Sequence, residues 1–465
     1  MTNERRIPSS RLGRLSQLGR LAGGMVGGMV SEGARQLASG KRPVLGDLLL
    51  TPSNARRLAE RLSEMRGAAM KIGQLLSMDS GQILPPQLGD ILTRLREDAH
   101  RMPLGQVAQV LDASLGKEWQ AAFRRFDFTP IAAASIGQVH RATLKDGREV
   151  AIKIQYPGIE QSIDSDISNV AMLLKLSGML PEGLDLEPLL EEARQQLHHE
   201  ADYGHEADLL RRFHALVEGD ERFTVPGVVD ALSSKRILSM EFLHGDPIES
   251  IATLDSAQRN EAARRLTELA FREVFEWGLV QTDPNFANYL HDAKSGRIQL
   301  LDFGAAREHS DEKRIAMQQL LNACMENSDR AILGAAAAVG YLGDEDPDGY
   351  AATVLLLLRT ATEPLRAGKP YRFGHSDLAV KMGEIIREMR LESRYSRIPP
   401  MDILFLHRKL AGLYLLLAEL RVKREEEQRA RCGVRQIPPG MDDLYNGLLP
   451  FELTSAQKAA LEDIR

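Results

Sequence analysis

Two short segments, far apart in the chain, constrain the fold most. Val150-Ala151-Ile152-Lys153 closes an apolar, strand-like run with a lysine. Downstream, Asp283 stands in Gln281-Thr282-Asp283-Pro284-Asn285, and Asn288 follows it by five residues. A hairpin pattern comes next: Tyr289-Leu290-His291, a turn through Lys294-Ser295-Gly296, then Arg297 to Leu301. Asp302-Phe303-Gly304 follows directly. That triplet alone is common noise. The ordered set, with its spacing and its hairpin in register, demands a fold that delivers a lysine, two carboxylates and an amide to one task.

The periodicity around these segments is of two kinds. Alternation predicts strands over Phe123 to Phe128, Val139 to Leu144 and Glu149 to Gln155, with an Asp146-Gly147 hairpin turn between the last two. Strands are also predicted over Val225 to Ala231 and Arg236 to Phe242, and helices over Ile159 to Leu180 and Leu186 to Phe213. From Ser256 onward the pattern is helical apart from the one hairpin. The expected class is α+β, a bilobal arrangement of a small strand-rich lobe and a larger helical lobe. Expected zones are a basic, glycine-rich arm over 1–50, a helical extension over 51–122, the strand-rich lobe over 123–243 and the helical lobe over 244–465.

The extension carries the clearest helix, Ala55 to Met78. Leu58, Leu62, Met65, Ala69, Ile72 and Leu76 make one apolar stripe. Its second half, AAMKIGQLLSM, loses the charge from the opposite face, leaving Lys71 and Gln74. That half is expected to be covered on both sides, and a lysine buried there needs an acidic partner.

Composition excludes several classes. The chain has 465 residues, net charge −6 and two cysteines. Nothing global favours nucleic acid, and a disulfide framework is implausible. No apolar run reaches the roughly 18 residues of a membrane span, and the N-terminus lacks a signal-peptide core. The leucines and arginines of the arm suit a peripheral membrane contact.

The ordered segments match the catalytic parts of protein kinases. Lys153 would hold the α- and β-phosphates of ATP, and Asn288 and Asp302 would ligate Mg²⁺. Asp283 would accept a proton from an attacking hydroxyl or water. Met240-Glu241-Phe242 is the expected strip whose backbone pairs with adenine. The phosphate loop is unusual: Ala132, Ala133, Ala134 and Ser135 stand where glycines are expected, and only Gly137 keeps a permissive position. Alanines resist positive φ, so a tighter, more helix-like turn presenting N–H groups is expected. Gln281-Thr282 replaces the usual His-Arg, and only a short link joins Gly304 to a helix that Ser310 could cap. That link leaves little room for a peptide-docking platform.

Lys71-Ile72-Gly73-Gln74, the alanine loop, Glu200-Ala201-Asp202 and QTDPN together resemble the AarF/UbiB family of atypical kinase-like proteins, in its ubiquinone-biosynthesis branch. The resemblance covers about residues 55 to 425. It implies that the Lys71 helix folds over the active site, that Lys71 pairs with Glu200 and Asp202, and that Glu206 holds Lys153. It also implies ATPase activity in support of quinone synthesis, with ATP and Mg²⁺ as cofactors. The implied partners are quinone-biosynthesis enzymes or prenylated lipid intermediates, and a homodimer is open. The expected location is cytoplasmic, peripheral at the inner membrane.

Two other functions compete with this reading. One is a small-molecule or lipid kinase acting on a prenylated precursor. The other is a nucleotide-dependent scaffold. His198, His199, Glu200, Asp202, His205 and Glu206 also form a ligand-capable cluster, but Tyr203 occupies the second histidine position of an H-E-x-x-H pattern. The histidines read as helix-surface or lobe-contact residues.

Overall fold

A computed structural model describes residues 62, 65–78, 102–176, 186–343, 346, 349–366, 371, 373, 376–393 and 400–432. The arm over 1–50 and the first turns of the Ala55 to Met78 helix lie outside the described residues. In chain order the elements begin with α1 (Arg66–Met78), α2 (Leu104–Leu115), β1 (Phe123–Phe126), β2 (Ala132–Ala133), β3 (Gly137–Leu144) and β4 (Glu149–Gln155). Next come α3 (Ile159–Leu176), α4 (Glu187–Glu200), α5 (Tyr203–Leu216), β5 (Phe223–Thr224), β6 (Ile237–Glu241), β7 (Asp246–Pro247) and α6 (Ser256–Phe271). The chain continues through β8 (Leu279–Gln281), β9 (Tyr289–His291), β10 (Ile298–Leu300), β11 (Ala306–Glu308) and α7 (Asp311–Glu326). It ends in α8 (Asp329–Val339), α9 (Tyr350–Ala361), α10 (Leu378–Ser393) and α11 (Met401–Cys432). The chain divides into two compact units. One takes in the described residues up to Arg211 with Gly227–Phe242, the other Arg212–Pro226 with the described residues from Leu243 on.

The first unit is built on an antiparallel sheet in the order β1-β3-β4-β6, with β2 added to β3. The turn between β3 and β4 needs Gly147, which sits at φ 92° while its N–H closes on Leu144 O at 3.0 Å. Every residue of β4 after Glu149 is buried. One face sends Val150, Ile152 and Ile154 into a core with Val107, Leu111 and Trp119. Each such side chain stabilises the fold by about 1.5–3 kcal/mol. The other face carries Ala151, Lys153 and Gln155, and the Gln155 amide donates to Ala201 O at 2.8 Å. β4 thus reads as an apolar run interrupted only by groups with partners.

α1 packs on α3 and α4. Met65, Ala68, Ala69, Ile72 and Leu75 are buried, so the helix is covered over more than one stripe, as its loss of charge predicts.

Two boundaries differ from expectation. The helix expected over Leu186 to Phe213 breaks at Ala201-Asp202, where the Asp202 carboxylate accepts the Gly204 N–H at 3.0 Å and starts α5. The strand expected over Val225 to Ala231 reduces to a bridge at Val228 and a 3₁₀ turn over Asp230–Leu232. Pro226 has no N–H to give a ladder there.

In the second unit a small sheet runs β5-β10-β9-β7, and β9 and β10 are the predicted hairpin. An unanticipated pair, β8 with β11, brackets the segment from Thr282 to Ala305. Three-residue strands are too short to show alternation in sequence. α6 is capped by Asp255 and α7 by Ser310, which accepts the Lys313 N–H. α6 runs into a π-helical turn over Arg272–Trp277. A separate core of Leu320, Cys324, Ile332, Tyr341, Val354, Leu358 and Ile403 ties together α7, α8, α9 and α11. Among the described residues no helix is long and apolar enough to cross a membrane.

Candidate functional site

In the first unit, Lys153 lies mid-strand in β4, with Val139 of β3 and Leu238 of β6 on its flanks. Its Nζ donates to both Glu206 oxygens, at 2.8 and 2.9 Å, and both side chains are buried. Glu206 comes from the first turn of α5. A buried ammonium held by both oxygens of one carboxylate has its desolvation offset by a short, charge-assisted pair. The Tyr203 ring lies under the Lys153 ammonium, 5.2 Å away.

The alanine loop departs from expectation. Ala132 and Ala133 are extended and pair with Val139 and Gln138, so the segment is the arm of a hairpin rather than a helix-like turn. The Ala134 N–H donates to Gly137 O at 2.9 Å, so it serves the hairpin instead of facing outward. Alanine suits an extended arm as well as glycine does, which is why positive φ is not needed. Gly137 is not a positive-φ residue either. A Cβ there would lie 2.4 Å from Ile154 O and 2.7 Å from the Tyr203 hydroxyl, so glycine is required by close approach.

Lys71 is buried, and its Nζ pairs with Glu200 Oε1. The other oxygen of Glu200 accepts the Ser135 hydroxyl at 2.8 Å. One carboxylate thus joins α1 to the alanine loop. Asp202, expected to share Lys71, caps α5 instead. Gln74 is half-buried on the same helix.

At the Met240-Glu241-Phe242 strip, the N–H groups of Glu241 and Phe242 donate to Gly227 O and Glu149 O, at 2.9 and 3.0 Å. Those donors are therefore spent within the unit, and the expected adenine pairing cannot use them.

In the second unit, Gln281 organises the segment from Asp283 to Gly304. Its side-chain carbonyl accepts the Asp283 N–H at 2.9 Å, and its amide donates to the backbone carbonyl of Asp302. The Thr282 hydroxyl donates to Ala305 O at 2.7 Å. The residues that replace His-Arg therefore clamp the Asp283 loop to the Asp302 segment. The Asn288 amide nitrogen faces Asp283, 3.4 Å from Oδ2, and Asn288 O accepts the Leu301 N–H at 3.0 Å. Asp302 Oδ1 accepts the Gly304 N–H at 3.0 Å. Phe303 is buried and stacks on Phe213 with centroids 4.2 Å apart. With its nitrogen turned to Asp283, Asn288 keeps an amide oxygen to offer, and Asp302 adds a carboxylate. Hard oxygen donors on adjoining segments fit Mg²⁺.

Below this segment, Glu273 in the π-helical turn accepts the Gln281 N–H at 2.9 Å and the Lys409 ammonium at 2.7 Å on one oxygen. Burial pushes the Glu273 carboxyl up, while Lys409 and the Gln281 N–H pull it back. Burial also works against the charge on Lys409, but Glu273 and Tyr289 outweigh it and raise its pKa. From the same helix, Arg408 Nη2 lies 2.5 Å from Asp283 Oδ1. Nothing local in the sequence signals Arg408, Lys409 or Glu273, because they meet the loop from more than 100 residues away or across a helix end. Ser135 is named with the alanine loop and Tyr203 with the histidine cluster, but neither motif signals the partner it meets, Glu200 or the Lys153 ammonium.

Strand lysine with helix glutamate, an Asp-to-Asn loop, a hairpin and an Asp-Phe-Gly segment define a protein-kinase-like fold. A sequence profile of the ABC1 atypical kinase-like domain matches residues 94–336, and the chain belongs to that family. It is an enzyme of the atypical kinase type. The chain is 38% identical over 421 residues to Atypical kinase COQ8B, mitochondrial, of Rattus norvegicus, covering 90% of this chain and 79% of the relative. It is 35% identical to Atypical kinase COQ8, mitochondrial, of Saccharomyces cerevisiae, covering 89% and 83%. With Atypical kinase coq-8, mitochondrial, of Caenorhabditis elegans it shares 36% identity, and the match spans 57% of that relative. The solved structure of Rv3197 with erythromycin from Mycobacterium tuberculosis aligns with a TM-score of 0.54 at 28% identity, over 79% of this chain and 92% of that one. The resemblance read from the motifs is borne out. The expected cytoplasmic location finds no support among these relatives, which are named mitochondrial.

Proposed function

We propose that the chain binds Mg-ATP and hydrolyses it slowly in support of ubiquinone biosynthesis, without phosphorylating protein substrates. Lys153 holds the phosphates and is itself fixed by Glu206. Asn288 and Asp302 hold Mg²⁺, which when bound neutralises phosphate charge. Asp283 takes the proton from the attacking water. The observation that carries the reading is the Gln281 clamp: two expected chemical residues, Asp283 and Asp302, are tied through one buried side chain. Only residues 305–310 separate the Asp-Phe-Gly segment from α7, which supports the exclusion of a peptide platform. The Lys71–Glu200 pair acts as a restraint on the alanine loop, and the relatives' names support the atypical kinase class. The partners proposed are enzymes or prenylated intermediates of the quinone pathway, met at a membrane surface.

The test is quinone profiling by mass spectrometry in a deletion strain complemented with wild type, Lys153→Met or Asp302→Asn. Ubiquinone should fall in the deletion and return only with wild type. Normal ubiquinone in the deletion overturns the pathway assignment.

A further inference from the structure

Over five successive residues, Arg408 to Gly412, α11 meets the Asp283 loop directly at Arg408 and Gly412 and indirectly through Lys409. Lys409 is tied to Glu273, which holds the Gln281 N–H on one side of Asp283. Gly412 lies against Pro284 on the other side, so close that a Cβ would fall 2.0 Å from Pro284 Cβ. Between these anchors Arg408 reaches Asp283 Oδ1 at 2.5 Å, with 13% of its side chain exposed. Among the described residues its guanidinium has no other hydrogen-bond partner. Among the described residues, Asp283 Oδ2 has only the long Asn288 contact, at 3.4 Å.

Most surface ion pairs join two mobile side chains and contribute little. Here both partners are held from behind, one by the loop clamp and one by a helix anchored at Lys409 and Gly412. A guanidinium presents a rigid fork of donors and so fixes the plane of a carboxylate, which a mobile ammonium does less well.

We propose that Arg408 is the positioning residue for Asp283: it engages Oδ1 and leaves Oδ2 as the oxygen turned to the attacking nucleophile. This rests on the reading of Asp283 as proton acceptor. In the step concerned, a water oxygen bonds to the γ-phosphorus, the bond to the ADP oxygen breaks, and the water proton passes to Oδ2. Orientation matters because a small misplacement of a reacting group is enough to lower the rate sharply.

The experiment is steady-state Mg-ATP turnover by the full chain as wild type, Arg408→Gln, Arg408→Lys, Asp283→Asn and the Asp283→Asn/Arg408→Gln double variant. Arg408→Gln should lower kcat by about tenfold or more, with KM for Mg-ATP held within about twofold. Arg408→Lys should recover part of that loss. In the Asp283→Asn background, Arg408→Gln should have no further effect, because the partner it positions is gone. Unchanged kcat in Arg408→Gln, or an equal fall in both backgrounds, overturns the role. If Arg408→Gln does not fold, Arg408→Lys alone and combined with Asp283→Asn decides by the same non-additivity. A wild type that does not turn over ATP overturns the proposed function and this role together. A wild type that turns over ATP but ignores Arg408 overturns this role alone.

Discussion

The Ser135 hydroxyl donates to Glu200 Oε2 at 2.8 Å, and the opposite oxygen of that carboxylate takes the Lys71 ammonium. Glu200 is therefore the joint between α1 and the alanine loop. Replacing it with glutamine leaves a buried lysine without a counter-charge. Such a loss is expected to destabilise by about 3–5 kcal/mol. Urea unfolding of Glu200→Gln and Lys71→Met/Glu200→Gln checks this. The double variant should be the more stable of the two.

Ser135→Ala removes only a neutral donor to a charged acceptor, an effect of about 1.5–3 kcal/mol at most. Hydrogen exchange should quicken in α1 and in the loop around Ala134 while the β3–β4 ladder stays protected. Exchange that changes nowhere near α1 contradicts the joint.

Gly137→Ala forces a methyl onto Ile154 O and the Tyr203 hydroxyl. Overpacking of this kind costs about 1–3 kcal/mol. Adding Tyr203→Phe relieves the hydroxyl contact but not the backbone one, so the thermal midpoint should recover only in part. Ala134→Gly, at a position whose φ is not positive, should shift the midpoint far less.

How much of this was legible in the sequence depends on where each partner lies. Lys153, Asp283 and Asp302 announce themselves because motif and strand period coincide within a few residues. The acidic partner of Lys71 was legible from the charge missing on its helix. The reason for Gly137 was not, because it depends on Tyr203 arriving from another helix. The β8–β11 pair escaped because each strand is three residues long. The α4–α5 break escaped because Asp202 was read as a partner for Lys71 when it is an N-cap. Arg408 and Lys409 belong to no local motif, and only the folded chain gives them partners.

His407 precedes Arg408 on α11 and bonds the Tyr341 hydroxyl through Nε2. Burial lowers its pKa from 6.5 to about 4. Above pH 6.5 the imidazole is neutral in folded and unfolded chains alike. As pH falls from there towards about 4, the unfolded chain takes up the proton first, so stability drops, by about 3 kcal/mol at most. Urea midpoints across that window should fall for wild type and flatten for His407→Gln. Equal slopes contradict the assignment.

Calorimetric titration of the full chain with Mg-ATP tests the proposed binding of a magnesium nucleotide most directly. Wild type should give saturable heat, Asp302→Asn should bind at least about tenfold more weakly, and a chelator should weaken the wild type likewise. A wild type that gives no heat, or binding indifferent to both Asp302→Asn and the chelator, contradicts the account.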